Sequence, residues 1–263
     1  MTTGLQTDAL SVSYGGNVAV SAATLHAPLG RITGLIGPNG AGKTTTFNAC
    51  NGLIKPTSGR VLLDGRDVTG VGTAARARLG LGRTFQQVQV CSGMTVRANA
   101  ALGAEVFLIG RNPLRQLTGG REQRRQVAQR TQQALEDCGI AHLAETSASI
   151  LSTGQRRLLE LARVLAGGYP MLLLDEPSSG LDEEETARFG AILTRVVDER
   201  GVGILLVEHD MTLVMAVCAH IYVLDFGSMI FDGTPAETRS SAEVRAAYLG
   251  EDEGLPTKSG SGR

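Results

Sequence analysis

The chain has 263 residues, a length that suits one substantial α/β domain with an insertion and is too short for two such domains. Its 25 Lys and Arg residues and 26 Asp and Glu residues leave a net charge of −1, so no overall field favours nucleic acid and we expect no nucleic-acid partner. Four scattered cysteines without Cys-x-x-Cys spacing favour reduced thiols over a disulfide framework or a metal site.

The N-terminal segment has the pattern of strands and lacks that of a targeting signal. Residues 1–8 have neither a basic start nor an apolar core, and no stretch reaches the ~18 uninterrupted apolar residues of a membrane span. We therefore expect a soluble chain whose membrane role, if any, comes through a partner. Residues 10–14 alternate apolar and polar side chains and residues 18–29 continue in short β-like pieces, which predicts an antiparallel hairpin region.

Tyr14 stands before Gly15-Gly16 at the end of the first predicted strand. One interpretation is a half-buried strand residue. The other is an aromatic surface on which a nucleobase stacks, since Tyr14 precedes a strand that leads into a phosphate-binding loop.

That loop lies between an apolar strand, residues 32–36, and a helix, residues 43–50, which Asn51-Gly52 ends. Its members are Gly37, Pro38, Asn39, Gly40, Ala41, Gly42, Lys43, Thr44 and Thr45. The glycines allow positive φ, so that successive amides can point at a polyphosphate. Lys43 adds a charge for the β- and γ-phosphates, and the Thr44 hydroxyl can ligate Mg²⁺. A plain glycine-rich turn is the alternative, but the strand-loop-helix frame supplies the helix N-terminus that an anion site needs.

Helical character dominates the middle of the chain. After residues 83–88 the pattern changes from strands to helices, and residues 121–138 form an amphipathic helix. Its apolar side consists of Val127, Thr131, Ala134, Leu135 and Cys138. We predict a helical subdomain at residues 89–165, inserted into an α/β core with a β-subdomain at residues 1–88 and 166–250.

Two charged segments lie in and after this region. The cluster Arg121, Arg124, Arg125 and Arg130 could be a basic patch for nucleic acid, but Gln and Glu interrupt it and no aromatic residues interleave. A solvated helix face is the favoured interpretation. Residues 251–263 are rich in Gly, Ser and charge and are predicted to be disordered.

The next helix begins at residues 151–155, where Ser152 and Gln155 have the spacing of a capping box. This pattern predicts a well-formed helix start. It is also compatible with an anion site, because Ser152 and the amides around Thr153 and Gly154 form the positive end of a helix.

Two continuous apolar runs, residues 171–174 and 203–207, end in polar residues. Such runs are typical of parallel strands that are covered on both faces. Ligands gather at the carboxyl ends of these strands, so we expect Asp175 and Glu176 to lie beside the phosphate-binding loop. Glu208-His209 follows the second run, and His209 on its own would be a structural strand-end residue. The alternation of strands and helices implies a P-loop nucleoside triphosphatase.

Five motifs in this order resemble those of the ATP-binding subunit of ATP-binding-cassette (ABC) transporters over nearly the whole chain. They are the loop at 37–45, Gln86, the signature at 151–155, Asp175-Glu176, and His209. Within that family the chain is most similar to the ATPases of branched-chain amino acid importers. The stretches that carry this likeness are residues 83–86, 154–157, 207–211 and 247–250. The resemblance implies an α/β fold with a mainly parallel core sheet, an N-terminal antiparallel β-subdomain and an inserted helical subdomain.

The resemblance also implies ATP and Mg²⁺ as ligands and assigns roles to residues. Lys43 and the amides of residues 40–45 would hold the triphosphate, with Thr44, Gln86 and Asp175 around the metal. Glu176 would polarise the attacking water, with Gln86 in its shell, and His209 would contact the γ-phosphate. Further contacts with nucleotide are assigned to Tyr14, Ser152, Gly154, Gln155 and Asp182. Two positions depart from the common pattern, namely Thr153 in place of Gly and Gly180 in place of Ala.

The resemblance further implies an assembly. If the helical subdomain projects away from the core, the signature must meet the ATP of a second ATPase subunit, either a copy of this chain or a sister chain. The expected partners are membrane permease subunits and, indirectly, a solute-binding protein, which places the chain at the cytoplasmic face of the cell membrane. One alternative is an ABC ATPase that energises the transport of another solute, such as urea, an amide or a lipid. The others are a non-transport ABC ATPase of DNA repair or translation, and a subunit whose own ATPase site is inactive. Non-transport relatives carry two cassettes or a coiled-coil insertion, and this chain has neither.

Overall fold

The computed structural model describes residues 3–84, 90–109 and 120–248, and its strands form two sheets. The strands are β1 (Gly4–Tyr14), β2 (Asn17–Pro28), β3 (Ile32–Ile36), β4 (Ser58–Leu63), β5 (Arg66–Asp67), β6 (Leu81–Arg83), β7 (Met171–Asp175), β8 (Gly203–Val207), β9 (His220–Asp225) and β10 (Ser228–Gly233). The helices are α1 (Lys43–Asn51), α2 (Thr73–Arg78), α3 (Val96–Ile109), α4 (Arg121–Asp137), α5 (Thr153–Gly167), α6 (Glu183–Arg200), α7 (Met211–Val217), α8 (Pro235–Ser240) and α9 (Ala242–Tyr248).

The larger sheet has the strand order β10-β9-β3-β8-β7-β6 and is parallel except for β10. Strands β3, β7 and β8 are buried along their whole length. Alternate residues of β7 enter two cores: Leu172 and Leu174 pack among helices α3 to α6, whereas Met171 and Leu173 pack with α1 and the smaller sheet. Because helices or strands cover both faces, nearly every position of these strands is apolar, as the sequence predicts. The polar exceptions are Thr33 in β3 and Asp175 at the end of β7, and both are buried.

The smaller sheet is antiparallel, with the order β2-β1-β4-β5. Its first two strands pair from Gly4 opposite Pro28 to Tyr14 opposite Asn17, which confirms the predicted hairpin. Residues 18–28 belong to one long strand, and the prediction of short pieces was wrong. The register of the pair shifts between Thr7 and Ser13, and these irregularities break the two-residue alternation by which a long strand is recognised.

Helices α3, α4 and α5 share one hydrophobic cluster, to which Ala100, Leu135 and Leu159 contribute. The predicted apolar side of α4 is confirmed, since Thr131, Ala134, Leu135 and Cys138 are buried and Val127 packs against them. Helix α5 runs on to Gly167, and the subdomain boundaries themselves stay a prediction. None of the described helices is long and apolar enough to cross a membrane.

The sequence did not predict the short helices α2, α7 and α8. Each has six or seven residues, which is too few for an apolar stripe to show its period. Side-chain caps mark two of their starts: Asp210 accepts hydrogen bonds from the amides of Thr212 and Leu213, and Thr234 forms a capping box with Glu237. The region after β9 therefore contains a short helix, α8, as well as strand β10.

The C-terminal end of α1 is held by a buried cation. Arg76 is 1% exposed, and its Nη1 donates to the carbonyl oxygens of Ala49 and Cys50 at 2.7 and 2.6 Å. Its Nε and Nη2 donate to the carbonyls of Val71 and Thr69. A positive charge complements the negative end of the helix dipole, while burial lowers the pKa of Arg76 from its ordinary value. This contact fixes the far end of the helix that begins at the glycine-rich loop.

Candidate active site

The glycine-rich loop joins β3 to α1 and needs its glycines for space as well as for conformation. Gly37 and Gly42 have φ of 151° and 100°. A Cβ on Gly37 would overlap the carbonyl oxygen of Leu224, and one on Gly42 would lie 2.6 Å from the carbonyl oxygen of Ala19. Gly42 is also the N-cap of α1 and has no side chain with which to cap it. The first-turn amides of α1 can therefore serve an anion.

Lys43 is the first residue of α1 and folds back over the loop. Its side chain is buried, with 8% of the residue exposed. The Nζ atom donates to the carbonyl oxygen of Gly37 at 2.5 Å and to that of Pro38 at 2.9 Å. The ammonium group therefore lies on the loop whose amides would surround a phosphate.

Asp175 ends β7, two strands away from β3 in the sheet, and its carboxylate is buried. Among the described residues, its Oδ1 atom has no hydrogen-bond partner. Burial above all, and then the negative charge of Glu176, raise the pKa of Asp175 to about 6, although Arg83 and Lys43 oppose the shift. A buried carboxylate oxygen without a donor is suited to a cation or to its bound water.

The donor set fits Mg²⁺ held jointly by protein and substrate. Thr44 is exposed in the first turn of α1 and offers a hydroxyl oxygen, a hard ligand of the kind that Mg²⁺ prefers. No group of three or more His, Cys, Asp or Glu side chains that could hold a metal ion occurs in the part of the chain that the structure describes. Such a site would therefore depend on phosphate oxygens and water as well. Gln86, also predicted at the metal, lies outside the described residues.

Glu176 and His209 approach each other at the ends of the neighbouring strands β7 and β8. The His209 Nδ1 atom lies 3.9 Å from Oε2 of Glu176, and both side chains reach solvent. Glu176 has a φ of 45°, which is uncommon for a residue with a side chain. Its amide donates to the carbonyl oxygen of Val207 at 2.8 Å, so the neighbouring strand holds this turn in place.

The predicted capping box at the start of α5 is present. Ser152 Oγ accepts from the amide of Gln155 at 3.2 Å, and Gln155 Oε1 accepts from the amide of Ser152 at 3.0 Å. Both side chains are therefore engaged with the helix start. Gly154 packs against Glu185 of α6, and a Cβ there would overlap the Glu185 carboxylate.

Asp182 and Tyr14 occupy different surroundings. Asp182 is the N-cap of α6, where its Oδ1 accepts from the amide of Glu185 at 2.8 Å. Tyr14 is 50% exposed at the end of β1, beside the turn that leads into β2. Ala19 of β2 touches the loop at Gly42, so the exposed ring lies on the hairpin next to the phosphate-binding loop.

Glu208 is a polar residue of this region for which no role was predicted from the sequence. It is fully buried and accepts hydrogen bonds from the amide and the hydroxyl of Ser178. The signal was present in the sequence, because a carboxylate directly after a five-residue apolar strand has to find donors when the strand end is buried.

The loop after β3, the carboxylates after β7 and the histidine after β8 meet at one edge of the parallel sheet. Hydrolysis of a nucleoside triphosphate requires a phosphate-binding loop and charged side chains positioned beside it. The fold and the site together define a P-loop nucleoside triphosphatase.

The comparison with known proteins places the chain within that class: it belongs to the ABC transporter family. The family model described as ABC transporter matches residues 20–179, and the model described as branched-chain amino acid ATP-binding cassette transporter matches residues 228–254. The predicted resemblance is confirmed. As a member of this family the chain is a nucleotide-binding ATPase whose hydrolysis is coupled to transport, and it works with permease subunits.

Similar proteins cover nearly the whole chain. The high-affinity branched-chain amino acid transport ATP-binding protein BraF of Pseudomonas aeruginosa is 37% identical over 94% of this chain and 98% of its own length. LivG of Escherichia coli, described in the same words, is 36% identical over the same shares. The lipopolysaccharide export system ATP-binding protein LptB of Haemophilus influenzae is 33% identical over 94% of this chain and 97% of its own.

Solved structures confirm the predicted fold. An ATP-binding cassette of an ABC transporter in its ADP conformation has a TM-score of 0.81 and 28% identity, covering 95% of this chain and all of that one. A dimeric bacterial ABC transporter cassette has a TM-score of 0.74 and covers 88% of this chain and 98% of its own, and at 22% identity it supports the fold alone.

Proposed function

We propose that this chain energises the uptake of branched-chain or related amino acids. The observation that carries the proposal is the match of residues 228–254 to a family model described for branched-chain amino acid transporters. Full-length similarity to BraF and LivG supports it. The site itself does not select the solute, because an ATPase subunit does not touch the cargo.

Lys43 and the amides of the loop hold the triphosphate in this proposal. The position of Nζ over the carbonyls of Gly37 and Pro38 supports this role, because a bound phosphate can replace either contact with a stronger, charge-assisted one. Tyr14 stacks on the base. Thr44, Asp175 and Gln86 would hold Mg²⁺, which would offset negative charge on the phosphate oxygens.

Glu176 polarises the attacking water, and His209 contacts the γ-phosphate. The 3.9 Å separation between His209 Nδ1 and Glu176 Oε2 supports a joint action on one small reaction centre. In this proposal Gln86 also belongs to the shell around the attacking water.

The signature at residues 151–155 serves the nucleotide of a second ATPase subunit, with Ser152, Gly154 and Gln155 at the contact and Asp182 close to it. The packing of α3, α4 and α5 on one another supports a helical subdomain at residues 89–165, whose apolar residues continue into the core of the sheet. Moving an open-closed equilibrium from 1:99 to 99:1 takes about 5.5 kcal/mol of differential binding. Contacts to the γ-phosphate that exist only in the closed dimer can provide it, and hydrolysis removes them.

The proposed complex comprises two ATPase subunits, identical or sister chains, and membrane permeases that receive an external solute-binding protein. The ATPase subunits lie at the cytoplasmic face of the membrane. Deletion of the gene should abolish uptake of labelled leucine, isoleucine and valine, and the wild-type gene should restore it where the Glu176→Gln gene does not. Unchanged uptake of all three in the deletion strain would contradict the proposed cargo.

A second cargo class, a lipid, is favoured by the similarity to LptB. The deletion strain distinguishes the two cargo classes. Loss of amino acid uptake with an unchanged lipid composition of the cell envelope supports the first candidate. Unchanged amino acid uptake with an altered lipid composition supports the second.

A further inference from the structure

A single buried side chain connects the two loops that carry the proposed hydrolytic residues. Glu208 is 0% exposed at the end of β8. Its Oε1 atom lies 2.7 Å from the hydroxyl and 2.8 Å from the amide nitrogen of Ser178, in the loop after β7. Its Oε2 atom lies 3.1 Å from the amide nitrogen of His209 and 3.5 Å from that of Asp210, in the loop after β8.

These four hydrogen bonds require both carboxylate oxygens of Glu208 to act as acceptors. All four partners donate a hydrogen, from three backbone amides and one hydroxyl. A glutamine has one acceptor oxygen and one donor NH₂ group, so it would set an N–H against an N–H on one side. Among the described residues, the ionisable side chain within 4 Å of the Glu208 carboxylate is His209, whose Nδ1 atom lies 3.8 Å from Oε2 and whose side chain is 55% exposed. Burying a carboxylate costs free energy unless hydrogen bonds compensate it, so a side chain that only filled space at this position would be apolar.

The same region contains the strained backbone of Glu176. Its left-handed φ of 45° is held from one side by the bond to Val207 and lies two residues before Ser178. Such a conformation persists where the surroundings determine it from several directions. The hydrogen bonds between Ser178 and Glu208 hold the same turn from a second side.

We propose that Glu208 is a positioning residue for ATP hydrolysis, which fixes the loop of Glu176 and the backbone of His209 relative to each other. Glu208 does not touch the nucleotide. It keeps the water-polarising carboxylate and the imidazole at one separation, so its loss lowers turnover with little effect on ATP binding. The inference rests on the roles proposed for Glu176 and His209.

The test compares ATP turnover and ATP affinity in the full chain and its variants. Glu208→Gln should lower kcat about tenfold or more while the ATP Kd changes less than about threefold. Ser178→Ala, which removes the hydroxyl donor and keeps the amide, should lower kcat by a smaller factor. The double variant should lose less than the product of the two single losses, because both act through one contact.

Asp137→Asn is the matched control. Asp137 is a buried carboxylate that pairs with Arg200 away from the site, so this variant should lose thermal stability and keep kcat per folded molecule. A Glu208→Gln protein with kcat within twofold of wild type would overturn the inference. So would a kcat loss that Asp137→Asn reproduces at equal destabilisation.

If Glu208→Gln does not fold, Ser178→Ala alone decides: an unchanged kcat overturns the inference, and a severalfold loss at unchanged Kd supports it. A wild-type chain that binds ATP but never hydrolyses it, even in its assembled complex, would overturn the proposed function itself. That outcome differs from turnover that is indifferent to Glu208.

Discussion

Replacing Lys43 by alanine is the sharpest perturbation of the phosphate-binding loop. The ammonium group is buried and lies within hydrogen-bond distance of two loop carbonyls, so it is already on the surface that would receive the phosphates. The variant keeps every backbone amide of the loop. It therefore isolates the contribution of one positive charge to nucleotide binding.

The expected loss follows from the strength of charge-assisted hydrogen bonds. Each contributes about 1.5–3 kcal/mol, and a loss of about 3 kcal/mol for the β- and γ-phosphate contacts raises the ATP Kd about 150-fold. ATP at 100 times the wild-type Kd stabilises the wild-type chain by about 2.7 kcal/mol and the variant by about 0.3 kcal/mol. For a chain of this size, those values correspond to Tm increases of about 5–11 °C and about 1 °C.

The assay is the ATP-induced shift in Tm, measured for each protein against its own nucleotide-free sample. This comparison removes any change in stability caused by leaving the Gly37 and Pro38 carbonyls without the ammonium donor. Lys55→Ala is the matched control, because Lys55 is exposed beyond α1 and carries the same charge. A Lys43→Ala protein with the wild-type shift would refute the assignment of the loop.

Three further predictions address other parts of the chain. Glu176→Gln should bind ATP, hydrolyse it far more slowly and accumulate as a closed dimer in size-exclusion chromatography with ATP; a freely cycling variant would remove Glu176 from its role. Arg76→Met should lose about 3 kcal/mol or more of unfolding free energy in urea, because four backbone carbonyls lose a buried donor, whereas exposed Arg78→Met should change it by about 0.5 kcal/mol or less. Equal losses would contradict this. A thiol reagent should titrate one cysteine, exposed Cys91, in the native chain and four in denaturant, since the other three are buried and burial raises their pKa; rapid reaction of several native thiols would count against the packing.

The predictable part of the fold is the part whose sequence pattern is long or closed by caps. Strand β8, and strand β7 up to Asp175, contain no polar residue, and β3 contains one, Thr33, because both faces of their sheet are covered. Such runs can be recognised without knowing the partner strands. The box formed by Ser152 and Gln155 is local, so its geometry follows from a spacing of three residues. Short helices such as α2 carry no period and escaped prediction.

The unpredicted part of the site depends on contacts between distant residues. Glu208 finds its donors in Ser178, 30 positions earlier, and Arg76 binds the carbonyls of Ala49 and Cys50, 27 and 26 positions earlier. No sequence spacing specifies these partners, because the sheet order brings them together. The location of Glu176 and His209 was predicted from their place after apolar strands, whereas their roles were implied by the family resemblance. The structure brings these two side chains to one edge of the sheet.

The central claim is that nucleotide closes a composite site between two ATPase chains, and cross-linking tests it most directly. One chain would carry Thr45→Cys and its partner, with a different tag, Ser152→Cys, both in a Cys91→Ser background that removes the exposed native thiol. A short bismaleimide should join the two tagged chains in the assembled complex with ATP and the Glu176→Gln substitution, and should join few without nucleotide. Cross-linking that never occurs with ATP, between copies or with a sister ATPase, would contradict the account.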